Sequence, residues 1–225
     1  MRLFKFSLSI VAALALTLGA INFAKGSSSY AENDLAGTTE ALATESTVST
    51  VADTYSIDPA HSTIGFSVRH LVINNIPGRF KEYTGTISYD AADITKSSVQ
   101  FTAKVASIDT GVAQRDDHLR TADFFEVAKY PDMTFQSSRI EKKGKDSFIA
   151  HGTFTLKGVS KEIAIPFKVY GPINDPFKKT RMGVEASLVI NRQDYGVKYN
   201  STLEGGGLVI SNDVNIHLNL EAVKQ

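Results

Sequence analysis

The sequence predicts an all-β domain in which eight antiparallel strands close into a barrel, with a short helical crossing between the third and fourth strands. Three observations support this fold class. Apolar and polar residues alternate from Tyr55 onward, turn sequences separate the alternating segments, and only one short stretch has helical spacing. A two-sheet sandwich is the alternative, but strands of about ten residues suit a barrel, and closure also removes exposed sheet edges.

Eight segments carry the alternation, which is typical of strands with one buried face. The lysine- and glycine-rich stretches at 142–146 and 156–161 predict hairpin turns between neighbouring strands. Pro166 cannot donate a hydrogen bond to a ladder, so we expect a bulge or a strand end there. The chain is expected to turn at NNIPG, residues 74–78. The alternating segments are residues 62–71, 80–90, 98–107, 133–141, 148–157, 162–170, 181–191 and 207–220.

The residues that point inward predict an apolar cavity. Small residues at Ala103, Ser137, Ala150, Gly152 and Ala186 leave space among larger side chains, unless they accommodate the taper of the barrel or a bulky neighbouring ring. The expected ligand is therefore apolar and elongated. The predicted ligand-binding residues on the strands are Phe66, Val68, His70, Phe101, Ala103, Phe135, Ala150, Phe154, Ile165, Phe167, Val184 and Ala186.

The crossing is the stretch RDDHLRTADFFEVAKYPDMTF, residues 115–135. Its first part predicts one or two helical turns, with Asp116 and Arg120 paired at i, i+4. Asp123 and Glu126 are spaced like a capping box for a second turn, which the Tyr-Pro pair at 130–131 would end. We expect the apolar side of this crossing to close one end of the barrel. It adds three predicted ligand contacts, Leu119, Phe124 and Phe125.

The charged residues of RDDHLR, residues 115–120, are also the residue types found in catalytic sites. The sequence has no cysteine, no G-x-S-x-G motif and no phosphate-binding glycine loop. We therefore expect no catalytic residue and no cofactor. The spacing of His61, His70 and His118 matches no metal-ligand pattern, so we expect no metal site. His70 faces inward near a strand end, where it meets either a ligand head group or the backbone of the rim.

The N-terminal region predicts export. Arg2 and Lys5 precede an apolar run, which is typical of a signal peptide and predicts one over residues 1–31. After its removal we expect no stable membrane span in the mature chain. A disordered Ser/Thr-rich linker is expected over residues 32–53, with the barrel domain at residues 54–225. The expected location is periplasmic or extracellular. The formal net charge of zero argues against nucleic acid as a partner. The sequence leaves the oligomeric state open, with a homodimer as one candidate.

From Thr54 to Val223 the chain resembles the YceI-like polyisoprenoid-binding family of periplasmic proteins. The resemblance rests on YSIDPAHSTIGFSVRHL, on RDDHLRTADFF and its following KYP, on GTFTLKGVSKEI and on NRQDYGV. It implies a lipocalin-like barrel that holds a polyisoprenoid or quinone-like lipid for transport, storage or sequestration, without enzyme activity. A ligand-free periplasmic stress or structural protein with a filled barrel is the alternative. The tryptophan signature of lipocalins is absent, because the chain has no tryptophan.

Overall fold

The computed structural model describes residues 52–225. The predicted signal peptide and the linker up to residue 51 lie outside these residues, and the first strand begins at Asp53, the last residue assigned to the linker. The strands are β1 (Asp53–Ile57), β2 (Thr63–His70), β3 (Asn74–Phe80), β4 (Tyr83–Tyr89), β5 (Ser98–Lys104), β6 (Ile108–Asp109), β7 (Asp132–Lys142), β8 (Ser147–Leu156), β9 (Val159–Asn174), β10 (Thr180–Asn191) and β11 (Ile210–Lys224), and the helix is α1 (Ala113–Arg120).

The eleven segments build a closed eight-stranded antiparallel barrel, which confirms the predicted fold class. The pairing order runs β1-β4-β5-β7-β8-β9-β10-β11, and β1 also pairs with β11, which closes the ring. The other three segments belong to the same barrel strands as β1, β4 and β5 and are separated from them by short breaks. The 3-10 turn Pro59–His61 separates β1 from β2, residues 81–82 separate β3 from β4, and the 3-10 turn Val105–Ser107 separates β5 from β6. The helix α1 lies between β6 and β7, where the crossing was predicted.

The antiparallel order assigns each connection to one of two barrel ends. The end that carries α1 also carries the β2–β3 turn, the β8–β9 turn and the residues between β10 and β11. The opposite end carries the β4–β5, β7–β8 and β9–β10 connections. We call these the helix end and the distal end. Within residues 52–225, no helix combines the length and the apolar character needed to cross a membrane.

The strand β3 was missed, because the sequence predicted a turn at NNIPG. It pairs with β2 over its full length, from Ile64 opposite Phe80 to His70 opposite Asn74. Its alternation is obscured by a glycine, and the glycine has a packing reason: a Cβ at Gly78 would lie 2.2 Å from Cζ of Phe66. The chain turns instead at residues 71–72, both with positive φ.

The two predicted hairpin turns are present. Lys157 and Gly158 connect β8 to β9 with φ values of 48° and 73°, the backbone that a two-residue type I′ turn requires.

The expectation for Pro166 was wrong, because β9 continues through it opposite Ile149 without a register shift. The ladder between β9 and β10 reaches only Phe167, opposite Ala186. Pro166 therefore lies where β9 has lost one neighbour, a position where a missing N–H costs little.

Candidate ligand-binding site

The barrel encloses a cavity of about 500 Å³, within the range of roughly 300–1,000 Å³ that is typical of small-molecule sites. Most of its lining is aliphatic or aromatic, and it extends from the helix end, at His118, to the distal end, at Ile94. Among the described residues that line it there is no aspartate, glutamate or lysine. The interior therefore suits an apolar chain, because burying such a chain leaves no carboxylate or ammonium group desolvated.

Alternation along the strands placed the predicted residues well. Leu119, Phe124 and Phe125 line the cavity from the crossing. The strand residues that also line it are Phe66, Val68, His70, Phe101, Phe135, Ala150, Phe154, Ile165, Phe167, Val184 and Ala186. Ala103, which was also predicted as a ligand contact, does not line the cavity. It is fully buried in the barrel wall, because its cross-strand neighbours Tyr83 and Met133 are larger buried side chains.

The small inward residues do not all create space. Ser137 lies at a bulge in β7, and its hydroxyl accepts a hydrogen bond from the backbone N–H of Val99 at 2.8 Å. Gly152 faces this bulge, and a Cβ there would lie 2.2 Å from the backbone oxygen of Gln136. These two residues serve the close approach of β7 and β8. Of the five small residues, Ala150 and Ala186 alone line the cavity.

An aromatic cluster separates the cavity from solvent at the helix end. Phe124 is buried, and its ring centroid lies 4.8 Å from that of Tyr199. The imidazole of His118 packs edge-on against both rings, at 5.1 Å from Phe124 and 5.0 Å from Tyr199. Tyr199 lines the cavity and is still 40% exposed. The crossing and the residues after β10 therefore meet over this end of the barrel.

The local hydrogen bonds of the crossing differ from the predicted ones. Asp116 does not pair with Arg120; its carboxylate is buried and accepts a hydrogen bond from the backbone N–H of Thr110 at 2.9 Å. Arg120 pairs with Asp117 at 2.9 Å and donates to the backbone oxygen of Ala106 at 2.8 Å. These bonds tie α1 to the β5–β6 region, because Thr110 and Ala106 flank β6.

The predicted capping box is also absent. Asp123 bonds the imidazole of His118, with 2.8 Å between Oδ2 and Nε2. Glu126 has a φ of 51°, which lies outside the helical region. The residues after Arg120 consequently form turns and no second helix. Tyr130 and Pro131 still end the crossing, since β7 begins at the next residue.

Arg192 and Tyr199 line the cavity at the helix end and were among the cavity residues that were missed. Arg192 follows β10, is 95% buried and donates to the backbone oxygens of Val197 at 2.7 Å and Tyr199 at 2.8 Å. Burial lowers its pKa from the ordinary arginine value. Both residues lie outside the alternating segments, so the period of two gave no signal for them. The motif NRQDYGV, residues 191–197, included Arg192, whereas nothing in the sequence indicated Tyr199.

One cluster of charged side chains lies away from the cavity. Asp58, His61 and Glu221 lie close enough together to hold a cation. The guanidinium of Arg181 already occupies that role, at 3.1 Å from Asp58 and hydrogen-bonded to Glu221. The hydrogen bond with His61 is the main reason why the pKa of Asp58 lies below its ordinary value. The cluster therefore joins the break between β1 and β2 to strands β10 and β11 through an arginine.

Comparison with known proteins assigns this barrel to a family. The sequence profile described as the YceI-like domain matches residues 55–222. The chain belongs to the YceI family. Protein YceI of Escherichia coli is 35% identical over 196 residues, which cover 86% of this chain and 99% of the relative. A UPF0312 protein of Azotobacter vinelandii is 33% identical over 177 residues, 78% of this chain and 89% of that protein.

Solved structures of YceI proteins and their relatives share the barrel. A Campylobacter jejuni YceI protein superposes with a TM-score of 0.61 at 34% identity and covers 75% of this chain and 96% of its own. Burkholderia cenocepacia BcnA gives a TM-score of 0.65 at 24% identity, covering 73% of this chain and 98% of that one. A Saccharophagus degradans domain, described as polyisoprenoid binding, gives 0.59 at 22% identity, covering 78% and 99% respectively. The last two likenesses establish the fold alone.

Proposed function

We propose that this YceI-family protein is an exported lipid carrier that holds a long apolar chain of the polyisoprenoid type inside its barrel. The observation that carries this proposal is the cavity of about 500 Å³ with an almost wholly apolar lining. The description of the Saccharophagus degradans domain as polyisoprenoid binding supports the ligand class. Transport, storage and sequestration, in the periplasm or outside the cell, are the roles that such a carrier serves.

The chemistry of the lining is sufficient for binding. Each buried methylene contributes roughly 0.8 kcal/mol, so ten of them contribute about 8 kcal/mol, equivalent to micromolar affinity. A full prenyl chain would exceed the practical ceiling of about −18 to −21 kcal/mol on that sum, so the cost of ordering the chain must offset much of the gain. The wall therefore recognises an apolar chain without specifying its length.

The alternative of a filled, ligand-free barrel conflicts with the open volume. Ala150 and Ala186 face the cavity on β8 and β10, where larger side chains would fill it. A hydrolytic enzyme is also disfavoured, because the serines that line the described cavity, Ser97 and Ser98, lie at the distal end while His70 and His118 lie at the helix end. A serine nucleophile needs its base within hydrogen-bond reach.

Native mass spectrometry tests the proposal, on protein purified gently from cells whose membranes supply the lipid. We expect a bound lipid whose mass fits a series of isoprene units, released by a mild increase in collision energy. A protein that carries no lipid under these conditions, and that also fails to take up a prenyl alcohol added afterwards, would contradict the proposed function.

A further inference from the structure

The hairpin formed by β9 and β10 projects beyond the barrel wall at the distal end. The ladder between β8 and β9 ends with Ser147 opposite Lys168, whereas β9 continues to Asn174. Residues 169–174 therefore pair with β10 on one side and have no β8 residue opposite them on the other. The tip of the hairpin, residues 175–179, lies farther out still, between the last residue of β9 and the first residue of β10.

This hairpin exposes large apolar side chains to solvent. Phe177 at the tip is 82% exposed, the highest value among the large apolar residues of the described chain, and Ile173 is 64% exposed. Neither side chain lines the cavity, so a ligand inside the barrel would not cover them. A single exposed apolar residue is ordinary, but two of this size on one projecting hairpin indicate an interaction surface.

The tip is held in one conformation by a carboxylate. One oxygen of Asp175 accepts hydrogen bonds from the backbone N–H groups of Phe177 at 2.8 Å and Lys179 at 2.9 Å. Its other oxygen accepts from Nε of Arg181 at 2.7 Å, and this bond is the main reason why the pKa of Asp175 lies below its ordinary value. Phe177 is therefore presented on a preorganised loop, which loses little conformational entropy when it binds a surface.

Lysines surround the exposed apolar side chains. Two follow Phe177 directly, and two belong to the β7–β8 connection, which ends at Ser147 beside β9. All four are exposed, and none forms an ion pair with a carboxylate of residues 52–225. The four distal lysines are Lys142, Lys145, Lys178 and Lys179.

The neighbouring carboxylates do not balance these charges. Asp175 is paired with Arg181, and Glu141 is paired with Lys143. Asp146 adds one negative charge in the β7–β8 turn against the four distal lysines. The formal net charge of the whole chain is zero, so the surplus of positive charge is a local feature of this end.

We propose that the β9–β10 hairpin docks the protein on an anionic membrane surface, with Phe177 and Ile173 inserted among the lipids and the four distal lysines against lipid phosphates. Exposed aromatic side chains partition into the membrane interface, and lysines near an anionic leaflet add electrostatic attraction. A second copy of the chain fits this surface poorly, because it would bring the same lysines together. The inference goes beyond the proposed function and does not depend on what the cavity holds.

A tryptophan placed at the tip reports insertion directly. Because the chain has no tryptophan, Phe177→Trp introduces a single indole fluorophore. We expect its emission to move to shorter wavelength when vesicles of equal parts phosphatidylglycerol and phosphatidylcholine are added, and brominated acyl chains should quench it. The matched control is Ile73→Trp, because Ile73 is 78% exposed in the β2–β3 turn at the helix end. Its emission should not change.

Co-sedimentation with the same vesicles measures the contribution of each group. Phe177→Ser should lower the partition coefficient about tenfold, since the ring no longer leaves water. The pair Lys178→Glu and Lys179→Glu should lower it about twentyfold, because each lysine near the surface contributes roughly fivefold. The control pair is Lys129→Glu and Lys198→Glu, which makes the same change in net charge on exposed side chains at the helix end. It should retain wild-type partition.

All variants carry the same N-terminal region, so that region cannot explain a difference among them. Absence of binding to anionic vesicles, or equal binding to pure phosphatidylcholine vesicles, would overturn the inference. So would equal losses from the two lysine pairs. A dimer in sedimentation velocity that Phe177→Ser abolishes would assign the surface to a second copy instead. Affinity for the prenyl alcohol geranylgeraniol, measured without vesicles, should be the same in every variant, and its absence would contradict the proposed function and not the docking surface.

Discussion

Filling the cavity from its wall is the most direct perturbation of the proposed binding. Ala150 lies on β8 between Ile140 on β7 and Ile165 on β9, and all three line the cavity. Ala150→Phe adds six carbon atoms that point into the same space. If the ring displaces six ligand carbons, the upper limit of the loss is about 5 kcal/mol at roughly 0.8 kcal/mol per carbon.

The expected loss is smaller than this limit, because a flexible chain can withdraw and recover part of its ordering cost. We therefore predict at least a tenfold weaker affinity for geranylgeraniol, or about 1.4 kcal/mol, measured by isothermal titration calorimetry. The ring enters existing space, so we expect urea denaturation to show a loss of stability of at most about 3 kcal/mol.

Ala164→Phe is the matched control, since Ala164 is exposed on the neighbouring strand β9 and does not line the cavity. It makes the same chemical change on the outer face and should leave the affinity unchanged. Wild-type affinity in a folded Ala150→Phe protein would refute the reasoning, because the tail would then lie elsewhere.

Three further predictions concern the aromatic cluster at the helix end, the barrel wall and the surface charges. Phe124→Ala should increase the dissociation rate of a bound prenyl probe in stopped-flow exchange by about tenfold with little change in the association rate, and an unchanged rate would place the exit elsewhere. Gly152→Ala should lower the free energy of unfolding by roughly 3 kcal/mol in urea, because the new methyl group would meet a backbone oxygen of β7. The hydrogen bonds from Lys143 and then His151 lower the pKa of Glu141 from 4.5 to about 2. Its stabilising contribution is therefore complete above about pH 4.5 and is lost as the pH falls toward 2. In a carboxyl-carbon NMR titration, Lys143→Ala should raise this pKa, and an ordinary pKa in the wild-type protein would contradict the ion pair.

Much of the fold and of the cavity wall could be predicted because a strand repeats every two residues. Once Phe148 and Leu156 are assigned to the inner face of β8, parity alone places Ala150 and Phe154 there. Alternation within one strand, however, carries no information about the side chains of the neighbouring strand. Ala103 has the correct parity and is still covered by its larger neighbours, so a correct face does not guarantee a position on the cavity surface.

The remaining features depend on contacts between distant parts of the chain. Asp58 and Glu221 meet because closure brings β1 against β11, and no local pattern records a contact of that sequence separation. Arg192 was missed for a related reason. Its closest partners are backbone oxygens, which any sequence supplies, so neither charge pairing nor periodicity identifies it before the fold is known.

The wall and the helix end should contribute differently to affinity and to exchange. The wall offers transfer free energy to any apolar chain, so it sets the strength of binding. Phe124 and Tyr199 pack together at the helix end of the cavity, so a chain that leaves there must displace these rings. Opening the aromatic cluster with Phe124→Ala should therefore speed the release of a bound prenyl chain, whereas Ala150→Phe should weaken its equilibrium affinity. If Phe124→Ala left the release rate unchanged while Ala150→Phe weakened binding, the chain would leave the barrel at the distal end.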